Sequence, residues 1–270
     1  MKLFIYKIKE LFRALFLVNG YWLIKATDKN LLADFFNQIR PINSGHNLIR
    51  LGGEADGGYL IPDDLEGIQH CFSPGVGYSS DFEFDLAERG IRCFLADNSV
   101  PGPVVPHSLF DFEKKHLGVF NNQNEFTLEK WVEIKAPLSG DFILQIDIEG
   151  AEYPILLSTP ESLLNRFRII VIEFHDLRSL LNSFGFPFID GVFKKLLKNF
   201  EIVHIHPNNC LTPIDYEGFS IPSVLEFTFL RKDRVRSQSP AMVFPHQLDR
   251  KTVMHLDDFD LPKCWYQSSK

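Results

Sequence analysis

The sequence predicts an α/β protein built on a doubly wound, mostly parallel sheet, and three observations carry that prediction. Apolar runs recur at Cys71–Gly77 (CFSPGVG), Arg92–Asn98 (RCFLADN), Asp141–Glu152 (DFILQIDIEGAE), Ile169–His175 (IIVIEFH) and Ile202–His206 (IVHIH). Helical stretches separate most of them, as parallel neighbours require of their crossovers. Each run ends among Gly, Asp, Glu or His, which marks the sheet edge where open α/β folds bind ligands.

The chain as a whole bounds the answer. Its 270 residues suffice for one large α/β domain or two small ones, and no evident linker forces the second. A composition 45% hydrophobic and 23% charged is ordinary for a globular protein with a sizeable core. The formal charge of -7 lacks the basic footprint of a nucleic-acid binder, so no nucleic-acid partner is expected. Cys71, Cys93, Cys210 and Cys264 show no metal-type spacing, and the first two sit inside predicted strands; a reducing, cytoplasmic setting follows.

Residues 1–45 read as an N-terminal helical extension. Phe4, Ile8, Leu11, Leu15 and Val18 recur at helical spacing among Lys2, Lys7, Lys9, Arg13 and Lys25. Arg13 interrupts any signal-peptide core, and the run is too short to span a bilayer. Such a basic amphipathic helix packs on its own domain, pairs with a second subunit, or lies on the inner membrane face as a peripheral contact. A second helix over 29–39 stops before Pro41.

The main domain spans 46–232. LIRLGGEADGGYLIP (Leu48–Pro62) places two Gly pairs around Asp56 between short β-like runs and predicts a hairpin, with Asp56 and Tyr59 in a flap or an ordinary turn. Strands are then expected near 68–73, 92–96, 117–120, 142–147, 169–174, 201–205 and 224–230. Helices are expected at 81–89, 127–134 and 151–167 (interrupted at Thr159–Pro160), with further helical material up to about Phe200. The loop Pro207–Pro222 offers no crossover helix, so the last strand should enter antiparallel. Residues 233–270 form a tail packed on the domain.

Ser73-Pro-Gly-Val-Gly-Tyr-Ser79 is the turn after the first core strand. Gly75 and Gly77 let a ligand approach the backbone, and Asp97 ends the next strand 20 residues past Gly77, placed to accept from ribose hydroxyls. Gly75, Gly77, Tyr78, Ser79, Asp97 and Asn98 are therefore the candidate cofactor contacts. A third glycine is missing, and Asp81 and Glu83 open the following helix, where they would repel a pyrophosphate. The cationic sulfonium of S-adenosylmethionine tolerates them better than NAD would.

FSPGVGYSSDFEFDLAERG, TLEKWV, DFILQIDIEGAEYPIL and IIVIEFHDL together resemble the FkbM-type family of S-adenosylmethionine-dependent O-methyltransferases, over about Leu48–Lys232. The resemblance implies a Rossmann-like class I methyltransferase fold, with a seven-stranded, mostly parallel sheet and one antiparallel strand. It also implies methyl transfer to a hydroxyl, often on a sugar, glycolipid or small metabolite. The first strand ends FSPG rather than on an acid, which puts one usual cofactor contact in doubt.

An attacking alcohol must lose its proton, and the candidates lie at the strand ends: Asp147, Glu149, Glu173, His175, His204 and His206. His175 is the expected general base, or else a histidine capping the next helix. Asp147 is expected to act beside it. His206, before Pro-Asn-Asn, is expected to contact a sugar- or lipid-linked acceptor, unless the segment is only a turn. Glu149 and Glu152 can serve the helix dipole. Asp147 and Glu173 could also hold Mg2+ or another divalent cation, as acids of the fourth and fifth strands do in catechol-type methyltransferases. The rival readings are a nucleotide-dependent oxidoreductase and a catalytically inactive methyltransferase-like binding or assembly protein.

Overall fold

The computed structural model describes residues 2–136 and 139–267. Helices α1 (Lys2–Val18) and α2 (Lys29–Gln38) precede strand β1 (Ile42–Asn43) and the hairpin of β2 (Leu48–Leu51) and β3 (Tyr59–Pro62). Next come β4 (His70–Pro74), α3 (Asp81–Ala87), β5 (Arg92–Ala96) and β6 (Phe110–Glu113). The short pair β7 (His116–Leu117) and β8 (Glu125–Phe126) leads into α4 (Leu128–Lys135). Then follow β9 (Phe142–Ile146), α5 (Glu152–Ser158), α6 (Glu161–Leu164), β10 (Phe167–Phe174), α7 (Phe186–Leu196) and β11 (Phe200–Pro207). A small hairpin of β12 (Ile214–Tyr216) and β13 (Phe219–Ile221) precedes β14 (Leu225–Arg231), and β15 (Ser239–Pro240) pairs back with β1.

Seven strands form the central sheet in the order β11-β14-β10-β9-β4-β5-β6. Strand β14 runs antiparallel to both neighbours, and every other pairing is parallel. This is the class I methyltransferase order, and the antiparallel last strand is the one expected from its missing crossover helix.

Successive strand residues point to opposite faces, so each buried strand feeds two cores. Phe72, Phe94, Leu144, Ile146, Ile170, Ile172, Phe227 and Phe229 pack with α2, α4, α5 and α7 on one face. Cys71, Cys93, Ile143, Ile169 and Val171 pack with α3 and the β2–β3 hairpin on the other. Helix α2 begins where Asp28 accepts a hydrogen bond from Asn30 N, and it buries Leu32, Phe35 and Phe36 in the first core. Thr127 caps α4 through Lys130 N. Pro160 separates α5 from α6 by holding Thr159 extended.

The third parallel strand differs from expectation. The apolar run Leu117–Phe120 supplies only the two-residue β7, while the sheet takes Phe110–Glu113 (FDFE), whose two acids disguise it. On α1, Ile8, Leu11, Leu15 and Val18 are exposed; the side chain of Phe4 lies outside the described residues. The tail after β14 returns to the first core, where Trp265 packs edge-on against Phe36 at 4.9 Å.

Candidate active site

The chain reverses its winding between β4 and β9. Strand β5 lies on one side and β10 on the other, and a cleft of about 650 Å3 opens at the carboxyl ends there. The size suits a nucleoside-sized ligand. Gly75, with φ +85°, is forced by the fold: a Cβ there would stand 1.6 Å from Asp147 O. Only glycine lets the turns after β4 and β9 touch.

Gly77 N donates to Asp97 Oδ2 at 2.9 Å, while Ser99 N and Oγ donate to Oδ1 at 2.7 and 2.6 Å. Burial pushes the Asp97 carboxyl up, but the bonds from Ser99 and Gly77 outweigh it and hold it below its ordinary value. An ionised carboxylate accepts about four hydrogen bonds, so one position is left for a ligand. Val76, Ala96, Leu117 and Ile148 give the same cleft an apolar wall. Tyr78 stands exposed at its rim, Ser79 lines it, and Asn98 does not. The family-implied S-adenosylmethionine fits this cradle: an apolar slot for the base, an open turn at Gly77 and an acid with a free acceptor position.

Beneath the cleft, Ser73 Oγ contacts both Glu83 Oε1 and Gln145 Oε1, the latter at 2.7 Å, and Gln145 Nε2 donates to Tyr59 Oη at 3.2 Å. One hydroxyl proton cannot serve two acceptors. Burial raises the Glu83 carboxyl to about 7, and a protonated Glu83 donating to Ser73 satisfies the chain. The sequence signal for this buried acid was its place beside Phe82 and Leu86 on the apolar face of α3.

At the other end of the cleft, Asp147 and Glu173 share a hydrogen bond, and Asn208 Nδ2 donates to Glu173 Oε1 at 2.7 Å. Burial raises both carboxyls; beyond that, Glu173 repels a charge on Asp147, and Glu226 repels one on Glu173. The pair therefore keeps a proton that isolated acids would lose. His175 comes close: its Nε2 lies 3.9 Å from Asp147 Oδ1 and 3.4 Å from Glu149 Oε2, and its Nδ1 lies 3.1 Å from Glu152 Oε1. Burial lowers the His175 pKa, but Glu152, Asp147 and Glu149 outweigh it and raise it. Glu152 is fully buried and also accepts from Ile148 N and Gly150 N, so it shapes the loop and orients the ring.

Donor atoms of Asp147, Glu149 and His175 fall within 4.8 Å of one another. Glu173 stands behind Asp147 and does not line the cleft. His206 is not brought to the cleft either. It lies two strands beyond Glu173, opposite Glu226 in the register and beside Asp249 of the tail. Sequence reasoning also missed His116 and Glu125, which line the cleft from irregular segments with no pattern to mark them.

The strand order and the cleft at its switch point are those of the Rossmann-like methyltransferase fold. Residues 122–200 match the family described as the Methyltransferase FkbM domain, a stretch that holds Asp147, Glu173 and His175. Fold and match together support a methyltransferase. Among curated proteins, no sequence matches the chain. Similar solved structures include that described as "Crystal structure of 23S rRNA methyltransferase ErmE", 10% identical, with a TM-score of 0.33, covering 77% of this chain and 70% of that one. This finding corrects the exclusion of nucleic acid as a partner: an rRNA methyltransferase is among the similar structures, and whole-chain acidity does not report on an acceptor surface. At that distance the likeness says nothing further about the acceptor. Among the described residues, no helix is long and apolar enough to cross a membrane.

Proposed function

We propose that the protein is an S-adenosylmethionine-dependent O-methyltransferase acting on a sugar hydroxyl of a glycan, glycolipid or related metabolite. The observation that carries the reading is one cleft joining the Gly77–Asp97 cradle to the Asp147 carboxylate. The bound cofactor supplies an electrophilic methyl group on a sulfonium. The chain's task is to hold the hydroxyl in line with it and to take up the proton. Asp147, whose carboxyl lines the cleft, is the acceptor of that proton in the state where the one proton kept by the pair sits on Glu173, with His175 beside it. His175, held towards the imidazolium by three carboxylates, acts as a positioning charge rather than as the first base. Asp56, Tyr59 and Glu149 line the same end and suit a neutral polyhydroxylated acceptor, whose hydroxyls donate to carboxylates.

A second reading adds a divalent cation, favoured by the convergence of Asp147, Glu149 and His175. Such an ion would acidify the hydroxyl directly. The free cysteines Cys71 and Cys93, register partners on adjacent strands, support a reducing cytoplasmic setting.

The test is calorimetric titration with S-adenosylhomocysteine, followed by labelled-methyl transfer to a panel of sugars, glycolipids and RNA, with and without magnesium. Binding plus transfer to a sugar hydroxyl supports the proposal, and a magnesium requirement supports its second form. Binding of NAD(P) in place of S-adenosylhomocysteine would return the oxidoreductase reading. Cofactor binding without transfer across the panel would favour an inactive binding protein.

A further inference from the structure

A second polar cluster lies away from the cleft, where the tail crosses the edge strand β11. His204 and His206 are two residues apart on β11, and Asp249 meets both. Its Oδ1 lies 2.8 Å from His204 Nε2, and its Oδ2 lies 3.6 Å from His206 Nδ1. All three side chains are buried, and neither ring nitrogen of His206 has a hydrogen bond of ordinary length: its Nδ1 reaches Asp249 only at 3.6 Å, and the Arg250 backbone is another polar contact. A buried imidazole held only by such loose contacts is costly. Donors each about 2 Å from one tetrahedral ion stand about 3.3 Å apart, and one donor atom from each of the three residues falls within 4.8 Å of the others.

We propose that His204, His206 and Asp249 bind a divalent transition metal of the zinc class, which staples the C-terminal segment to the edge of the sheet. Two imidazoles and a carboxylate suit such an ion, and the set leaves a position for water. The surrounding shell is of the kind a metal site needs: His246 N donates to Asp249 Oδ2 at 2.7 Å and fixes that carboxylate. His204 also lines a cleft of about 560 Å3 that gives access from solvent. Just past the end of β11, Asn209 Nδ2 donates to Val253 O and Asp257 O while its Oδ1 accepts from Val253 N, so the segment leaving the strand grips the tail as well. Three strand spacings of about 4.8 Å put the ion about 14 Å from Asp147, too far to serve the cleft directly. The rival occupant is a proton on His206, held between Asp249 and Glu226.

The full-length protein, stripped with a chelator, is titrated with Co2+ and Zn2+. One equivalent is expected to bind, with visible cobalt d–d absorption and a melting temperature raised by several degrees. His206→Gln and Asp249→Asn are each expected to abolish the cobalt band and weaken binding at least about 100-fold, while Asp147→Asn keeps both. A folded wild type that binds no stoichiometric metal overturns the proposal in favour of the proton, whatever the variants do. A band that survives His206→Gln, or disappears with Asp147→Asn, overturns it as well.

Discussion

Gly77 N donates to Asp97 Oδ2 across 2.9 Å, and that bond ties the turn after β4 to the end of β5. A charge-assisted bond of this kind contributes about 1.5–3 kcal/mol. Asp97→Ala should therefore open the turn and weaken S-adenosylhomocysteine binding by about 10- to 100-fold, as read by calorimetry. Unchanged affinity in a folded variant would remove Asp97 from the binding site.

The two glycines of the turn should respond differently to alanine. At Gly75 the added methyl would overlap the Asp147 carbonyl, so Gly75→Ala should cost more than about 2 kcal/mol in urea denaturation. At Gly77, φ is +50° and nothing lies within 4 Å of where the methyl would stand, so only the left-handed strain of about 1–2 kcal/mol remains. Equal losses at both positions would contradict the close approach of the two loops.

Glu83 gives the molecule a pH-dependent stability. Its folded-state pKa is about 7 against an ordinary 4.5, so the unfolded chain releases this proton first. Stability should be full below about 4.5, fall by about 3 kcal/mol as pH rises through about 7, and then level off. Glu83→Gln should flatten that slope, because the amide still donates to Ser73. Urea midpoints at pH 5 and pH 8 measure it; a wild-type midpoint that is no lower at pH 8 defeats the prediction.

Asp147→Asn should separate chemistry from binding. Loss of a positioned general base typically costs about 10²–10⁴-fold in rate, whereas the Gly77–Asp97 cradle remains intact. Turnover should fall within that range while the affinity for S-adenosylhomocysteine changes by no more than a few-fold. A variant with wild-type turnover would place the base elsewhere.

Much of this was legible because the sheet is buried on both faces. Strands such as Ile169–Phe174 read as unbroken apolar runs, and their ends carry the acids. The meeting of Gly77 and Asp97 was legible from spacing, since the turn after one parallel strand and the end of the next lie a fixed crossover apart. Strand β6 was not, because Phe110-Asp-Phe-Glu alternates as a half-exposed edge and carries little apolar signal. The partners of HIHPNN were also hidden. Asp249 reaches His204 from 45 residues away, along a tail with almost no periodicity. The raised His175 was unreadable for another reason: a histidine after a strand looks like a free base until three carboxylates are seen around it.

The position of β14 has a consequence for biosynthesis. Strand β11 is complete at Pro207, yet among the described residues its one partner in the sheet is β14, which ends at Arg231. Until that later segment leaves the ribosome, β10 and β11 both present unpaired backbone along apolar strands, a template for association with other chains. A nascent chain halted between those two points would carry the family-matched segment and much of the cleft but an unfinished sheet, and it would depend on chaperones more than the finished protein does.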